Sequence, residues 1–289
     1  MILFWLLFVL FLLCALYIFL AAPNLRRRKM KLLPPPRVYY AHRGLHDGNV
    51  HVAENSLPAF RAAAELGYGI ELDVRETRDH VLVVHHDETL ERSCGDKRPV
   101  RDVPWAELCE MRLFGTDEHI PTLDEVLALV HGRVPLIIEI KSDRGASVPC
   151  EAIRDRLLRY PGNYCVESFD PFVLRWFKHF APRIIRGQLS CAFSIPGLSF
   201  KEHLQRLALT NLLTNCIARP DFIAYGYQTD ANISFRLIAS VFRPMLAVWT
   251  VHDVEKAREL KSRYDILIFE RFYPTDEGFD QEEEPSYAQ

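Results

Sequence analysis

Four short polar clusters interrupt an apolar, strand-forming background between Ala41 and Asp87: His42-Arg43-Gly44, Glu54-Asn55-Ser56, Glu71-Leu72-Asp73 and His85-His86-Asp87. Carboxylates hold hard cations, imidazoles move protons near neutral pH, and a guanidinium grips a phosphate through parallel N–H bonds. Together those capacities suit metal-assisted phosphodiester chemistry. A later run, Glu139-Ile140-Lys141, repeats the alternation of Glu71-Leu72-Asp73, so an extended strand puts both polar groups on one face. Burying such charges on adjacent strands without partners costs several kcal/mol each. Glu71, Asp73 and Glu139 around a divalent cation, opposed by Lys141 and Arg43 facing an anionic substrate, remove that cost. An all-oxygen donor set points to Ca²⁺ or Mg²⁺ over zinc. The bland alternative is a set of interior salt bridges among the same five groups.

Strand patterns lie at 37–42, 68–74, 135–141, 163–169, 183–189, 221–227, 245–251 and 265–270. Helical patterns separate most of them, at 56–66, 147–160, 171–180, 200–213, 234–242 and 254–263. Eight strands alternating with helices predict a (β/α)₈ TIM barrel, whose functional face lies at the C-terminal strand ends. That face would gather His42, Arg43, Glu71, Asp73, Glu139, Lys141, Glu167, Gln188, Tyr225, Tyr227, Trp249 and Glu270. Val81–His86 follows the second strand too closely for a parallel crossover, so it must return as a hairpin turning at Arg78-Asp79-His80. Either two-residue loop, Arg78-Asp79 or Asp79-His80, pairs His86 with Glu71 or Asp73; only a one-residue slip sets Leu72 opposite instead. The expectation is therefore His86 on the carboxylate face and His85 in a structural place. Residues 87–134 form an irregular insertion after the second strand, with short helices near Trp105–Arg112 and Thr122–Val130. Glu54 and Asn55 fit a helix start or a supporting role beside the site. His42 fits a proton-transfer group or a satisfied core imidazole, and Trp249 a pocket wall or plain core.

Residues 1–22 contain no charged side chain. As a helix they reach about 33 Å, enough to cross a bilayer core. A cleaved signal peptide is the alternative, weakened by the missing basic start and by Leu20 where a small residue would be needed. Five basic residues follow, Arg26, Arg27, Arg28, Lys29 and Lys31, then Pro34-Pro35-Pro36. The expected organisation is a transmembrane anchor over 1–22, a basic, Pro-rich linker over 23–36, a barrel over 37–274 and an acidic disordered tail over 275–289. The positive-inside rule makes this a single-pass protein of the cell membrane with its barrel in the cytoplasm. The first 31 residues hold five of the 35 basic groups and none of the 38 acidic ones, leaving 30 bases against 38 acids beyond them. An acidic globular part disfavours nucleic acid as a partner. Seven cysteines without a C-x-x-C pair argue against a disulfide scaffold or a structural zinc site. The oligomeric state stays open.

The clusters H-R-G, E-N-S, E-L-D-V and H-D, followed by I-E-I-K and W-T-V, resemble the glycerophosphodiester phosphodiesterase family over most of residues 38–272. The resemblance implies a barrel with a small insertion after its second strand. It also implies a Ca²⁺ or Mg²⁺ ion on Glu71, Asp73 and Glu139, with His42 and His86 as general base and general acid and Arg43 and Lys141 on the phosphate. The expected activity is hydrolysis of a glycerophosphodiester to an alcohol and glycerol 3-phosphate. In that scheme the substrate's neighbouring glycerol hydroxyl, or water, attacks phosphorus. Two features depart from the family: Phe269-Glu270-Arg271 replaces a Thr-Asp before proline, and Ala53 replaces a proline before Glu54-Asn55. A lysophospholipase D-type release of a headgroup is the main alternative, served by an apolar groove through Met111, Leu113 and Phe114. A tethered binding protein without catalysis and a phosphatidylinositol-specific phospholipase C are weaker alternatives.

Overall fold

The computed structural model describes residues 1–25, 38–142, 149–192 and 199–274. The basic run 26–31, the prolines 34–36 and the acidic tail 275–289 lie outside the described residues. Eight parallel strands close a barrel: β1 (Val38–His42), β2 (Gly69–Glu76), β4 (Leu136–Ile140), β5 (Tyr164–Ser168), β6 (Arg186–Ser190), β7 (Phe222–Gly226), β8 (Met245–Val251) and β9 (Ile266–Phe269), with β1 paired to both β2 and β9. The short β3 (Leu82–Val84) runs antiparallel on β2. The helices are α1 (Ile2–Ala21), α2 (Leu57–Glu65), α3 (Glu91–Cys94), α4 (Trp105–Leu108), α5 (Leu123–Val130), α6 (Cys150–Leu157), α7 (Pro171–Phe180), α8 (Phe200–Thr210), α9 (Asn215–Ala218), α10 (Ile233–Phe242) and α11 (Val254–Leu260). This is the TIM barrel that the strand–helix alternation predicts.

Strand parity sorts the core into layers. Tyr40, Ile137, Cys165, Phe222, Ala224, Met245, Ala247, Ile266 and Ile268 fill the barrel interior. Moving two residues along several strands replaces those apolar groups with polar ones: Tyr40 with His42, Ile137 with Glu139, Cys165 with Glu167 and Ile268 with Glu270. The lower barrel is thus an apolar plug and the mouth a charged layer. Residues 87–134 build their own small core around Leu90, Val100, Val103, Leu108, Leu113 and Ile120, packed on Val83 of β3. Leu113 lies inside that core, with Met111 and Phe114 packed against it, so the expected apolar groove through these residues is not favoured.

The hairpin adopts the slipped register. Val74 pairs with Val84, Arg75 with Val83 and Glu76 with Leu82, around a three-residue loop. Thr77 Oγ1 accepts the Val81 N–H and donates to Asp79, while Asp79 also accepts the Trp105 N–H and Arg78 N–H bonds to Val103 O. His80 takes a left-handed conformation at φ 65 to close the loop. These contacts from the insertion select the longer turn, and both two-residue loops are wrong. The register puts His85 beside Asp73, with the His85 N–H donating to Asp73 O at 2.9 Å.

The helix α1 ends on the barrel wall. Its mean hydropathy is 3.0 and most of its side chains are exposed, yet Ala21 is fully buried. Asn215 Nδ2 donates to Ala21 O at 2.8 Å and Arg219 Nη1 to Ala22 O at 2.7 Å. The Tyr17 and Ser234 hydroxyls lie 2.5 Å apart, and Asn24 bonds to Pro220 O and Asp221. Among the described residues between β6 and β7, the four-residue α9 is the helix that buries side chains against the wall, since α8 buries none of its residues. The end of α1 packs in the gap beside α9.

Candidate active site

The mouth is built from consecutive strand ends. Arg43 follows β1 at φ 56 and its N–H donates to Glu71 Oε2 at 3.1 Å. Gly44, at φ +79, passes so close to α2 that an added Cβ would lie 2.8 Å from Ala59 Cβ, so only glycine serves there. Asn55, also at positive φ, ties its N–H to Arg43 O at 2.8 Å and its Nδ2 to Asp73 Oδ2 at 2.8 Å. Glu54 accepts from Arg43 Nη1 at 2.7 Å.

At the centre, Glu71, Asp73 and Glu139 each turn an oxygen to one point, all within 4.8 Å of one another. Lys141 Nζ stands 2.8 Å from Asp73 Oδ1 and 2.7 Å from Glu139 Oε1, and Arg43 Nε 3.5 Å from Asp73 Oδ2. Burial pushes the Glu71 carboxyl well up, and the neighbouring Asp73, Glu139 and Glu167 add to it. Burial also pushes Glu167 well up, with Glu139 adding, and Glu167 Oε2 is buried without a hydrogen-bond partner. For Asp73 burial acts the same way, but Lys141, His86 and Arg43 outweigh it and hold the carboxyl well below its ordinary range. More buried carboxylates than Lys141 and Arg43 can neutralise is the condition a divalent cation relieves, and the donors are all oxygens. These residues fit Ca²⁺ or Mg²⁺.

Two imidazole–carboxylate pairs lie beside the centre. His42 Nδ1 lies 2.8 Å from Glu270 Oε2 and His42 Nε2 lies 4.0 Å from Glu71. Burial pushes the Glu270 carboxyl up, but the hydrogen bond to His42 together with the charges of His42, His46 and His252 outweighs it and holds Glu270 down at about 2, so Glu270 is an acceptor and His42 Nδ1 carries the proton. Burial, only partly opposed by Glu270, holds the His42 imidazole at about 4. At neutral pH its Nε2 therefore presents a lone pair toward the carboxylate centre. In the second pair, His86 Nδ1 bonds to Asp87 Oδ1 at 2.6 Å and Arg75 clamps the His86 carbonyl at 2.7 Å. The strand has ended at Val84, so the bend at 86–88, not strand parity, leaves His86 close enough to act on Asp73. His85 is buried between Ser93 Oγ at 2.7 Å and Asp87 O at 2.9 Å, the structural place expected of it.

The sequence reading missed Arg92, which joins the two sides. It donates to Glu54 Oε1 and Oε2 at 2.6 and 3.0 Å and to Asp87 Oδ2 at 2.6 Å, linking Arg43 through Glu54 to the His86 pair. It also missed Glu270 as the partner of His42. No motif signals either link, since Arg92 reaches Glu54 38 positions away and Glu270 reaches His42 228 positions away. Trp249 packs edge-on to Phe169 above the interior core, with ring centroids 5.6 Å apart. Two residues expected at the functional face, Gln188 and Tyr225, point out of the barrel, and Tyr227, just past β7, meets Lys256. Gln188 alternates with the interior Leu189 and bonds carbonyls at the end of β5, and Tyr225 stacks on Phe235 of α10.

Residues 42–213 match the glycerophosphoryl diester phosphodiesterase family. A putative glycerophosphodiester phosphodiesterase of Bacillus subtilis is 32% identical over 234 residues, 77% of this chain and 89% of that protein. A glycerophosphodiester phosphodiesterase of Caldanaerobacter subterraneus is 37% identical over 52% of this chain and 65% of its own length. A probable one of Mycobacterium tuberculosis is matched over only 40% of its length, so the chain spans less than two thirds of these last two relatives. Among solved structures, the glycerophosphodiester phosphodiesterase of Thermotoga maritima superimposes with TM-score 0.60 at 28% identity, covering 81% of this chain and 94% of that one. An Oleispira antarctica phosphodiesterase, solved with the product sn-glycerol-3-phosphate, shares the fold with TM-score 0.64 at 21% identity, covering 81% and 93%. The chain belongs to the glycerophosphoryl diester phosphodiesterase family.

Proposed function

We propose that this protein hydrolyses small-molecule glycerophosphodiesters to an alcohol and glycerol 3-phosphate, using a divalent cation and two histidines. It is held at the cell membrane by residues 1–22, with the barrel on the cytoplasmic side and residues 23–36 as the linker. The single observation that carries the reading is the pair of imidazole–carboxylate couples, His42–Glu270 and His86–Asp87, beside the Glu71–Asp73–Glu139 cluster.

In this reading Glu71, Asp73 and Glu139 hold the cation, with Glu167 beside them. When bound it draws charge from the phosphodiester and makes phosphorus easier to attack. Arg43 and Lys141 grip the phosphate oxygens, and Trp249 lines the substrate pocket. His42 Nε2 takes the proton from the glycerol 2-hydroxyl, or from water, as its oxygen bonds to phosphorus. His86 gives a proton to the departing alcohol oxygen. With the 2-hydroxyl as nucleophile a cyclic phosphate forms, and water then opens it with the proton roles reversed. Glu54 and Asn55 fix the loop that carries Arg43.

The test is an assay of the full chain with glycerophosphocholine and glycerophosphoethanolamine, with Mg²⁺, Ca²⁺ or chelator, reading glycerol 3-phosphate. Turnover should need the cation, and His42→Ala and His86→Ala should each lower kcat by about 10²–10⁴-fold with the fold intact. Wild-type rates in both variants, or full activity in chelator, would overturn the proposal.

A further inference from the structure

The helix α8 is out of keeping with the rest of the barrel: eleven residues with a complete capping box at Ser199 and Glu202, yet no side chain buried. Its exposed residues include Phe200, Leu204 and Leu207, at the i, i+4, i+7 spacing that makes one helix face. Phe200 is 84% exposed, and Ile233, at the start of α10, is 83% exposed. A soluble protein gains nothing from capping a helix in order to present such a face to water.

Hydrogen bonds fix where this face lies. Ser190, at the end of β6, donates to Leu209 O, Thr210 donates to Cys191 O, and Tyr225 near the end of β7 donates to Thr210 O. The end of α8 is therefore seated on the barrel mouth. Asn211 follows it, and its carbonyl accepts from Ser234, whose hydroxyl also meets Tyr17. Tyr17 of α1 is thus near the mouth as well. Asn24, in contrast, meets Pro220 and Asp221 before β7, at the barrel's base. From Tyr17 to Asn24 the chain runs from mouth to base. The rest of α1, Ile2–Leu16, must project beyond the mouth, about 22 Å of uncharged helix at 1.5 Å per residue.

We propose that the barrel mouth faces the membrane and that α8, with Ile233, is a second membrane contact whose apolar face rests in the lipid interface. The occupant is a lipid bilayer, because the projecting part of α1 leaves the barrel on the same side as α8 and is long and apolar enough to enter one. The exposed Lys201 beside Phe200 suits a headgroup layer. The proposal rests on the reading that α1 enters the bilayer, and goes beyond it: one anchor alone leaves a barrel free to tilt, whereas two contacts on one side fix the direction of the active site. Substrate then reaches His42 and His86 from the headgroup layer.

Tryptophan quenching by bilayers with brominated acyl chains tests this in the full-length protein. Trp105, Trp176 and Trp249 also emit, so each reporter is read as the emission it adds over the Trp5→Phe chain. Read in this way, native Trp5, within α1, reports whether the anchor is in lipid, and Phe200→Trp in the Trp5→Phe background reports on α8. Leu158→Trp reports on the base, because Leu158 is exposed at the end of α6, which returns from the mouth side. Trp5 and the tryptophan at 200 should lose most of their emission in brominated bilayers, and the one at 158 should keep it. Quenching of Trp5 without quenching at 200 would overturn the proposal while leaving the anchor standing. Quenching at 158 in place of 200 would turn the barrel round and overturn it too. A tryptophan at 200 shielded from aqueous quencher but untouched by bromine would identify a second copy, not lipid, as the cover. An unquenched Trp5 would remove the anchor reading and this proposal together, with the turnover assay unaffected as a separate matter.

Discussion

His42 owes its tautomer to a residue more than two hundred positions away. Glu270 accepts from Nδ1 and so leaves Nε2 free on the side of the carboxylates. Glu270→Ala should lower kcat about tenfold or more with a smaller change in KM, since the imidazole loses its orientation while the phosphate grip is untouched. Glu270→Asp should recover part of the loss, which steady-state kinetics on both variants will read. His85, two strands away, matters for stability. Burial holds its imidazole at about 4, well below its value in an unfolded chain. The unfolded state therefore binds a proton as pH falls through about 6.5 while the folded state refuses it down to about 4, so His85's contribution is present at neutral pH and is lost across that window, by at most about 1.4 kcal/mol per pH unit. Urea unfolding at pH 7 and pH 5 should show a smaller loss for His85→Gln than for the parent. The carboxylate triad and Lys141 were legible in the sequence because strand alternation alone puts each pair on one face. Glu270 was not legible as a partner of His42, because only closure of β9 onto β1 brings them together.

At the scale of elements, the hairpin of β2 and β3 marks where parity reasoning stops. Pairing is legible from alternation, but register depends on one residue more or less in the turn, and the insertion chose the longer loop through Val103 and Trp105. His86 still arrives near Asp73 because the chain bends after Val84. The strained position is His80, held at φ 65 and exposed. A left-handed residue with a Cβ costs about 1–2 kcal/mol, so His80→Gly should stabilise the protein by up to about 1 kcal/mol after glycine's greater chain entropy is counted. Thermal unfolding should show the gain, with kcat unchanged; a loss would mean that the His80–Glu76 pair outweighs the strain. Helix bounds came out shorter than their periodicity, as at Phe200–Thr210 against 200–213, because the last apolar residues turn inward to begin α9.

For the whole molecule, the barrel was legible from the count and alternation of its strands, and its insertion from the break in that rhythm. What the sequence could not display was that the apolar N-terminal helix is also a piece of the barrel wall. Removing residues 1–25 would leave the buried Asn215 and the half-buried Arg219 without the carbonyls they bond, and would uncover the gap beside α9. Each such loss costs about 1–3 kcal/mol. A fragment beginning at Val38 should therefore unfold at least about 2 kcal/mol more easily than the full chain in the same detergent, as denaturant titration will show.

That docking also divides the N-terminal segment into two parts with different freedoms. Residues 1–16 answer only to their hydrophobic surroundings, and any uncharged helix of similar length should be exchangeable for them. Tyr17 to Asn24 answer to Ser234, Asn215, Arg219 and Asp221, partners from the opposite half of the chain. A graft joined before Tyr17 keeps the enzyme whole, whereas one joined after Asn24 exports a barrel with a missing stave.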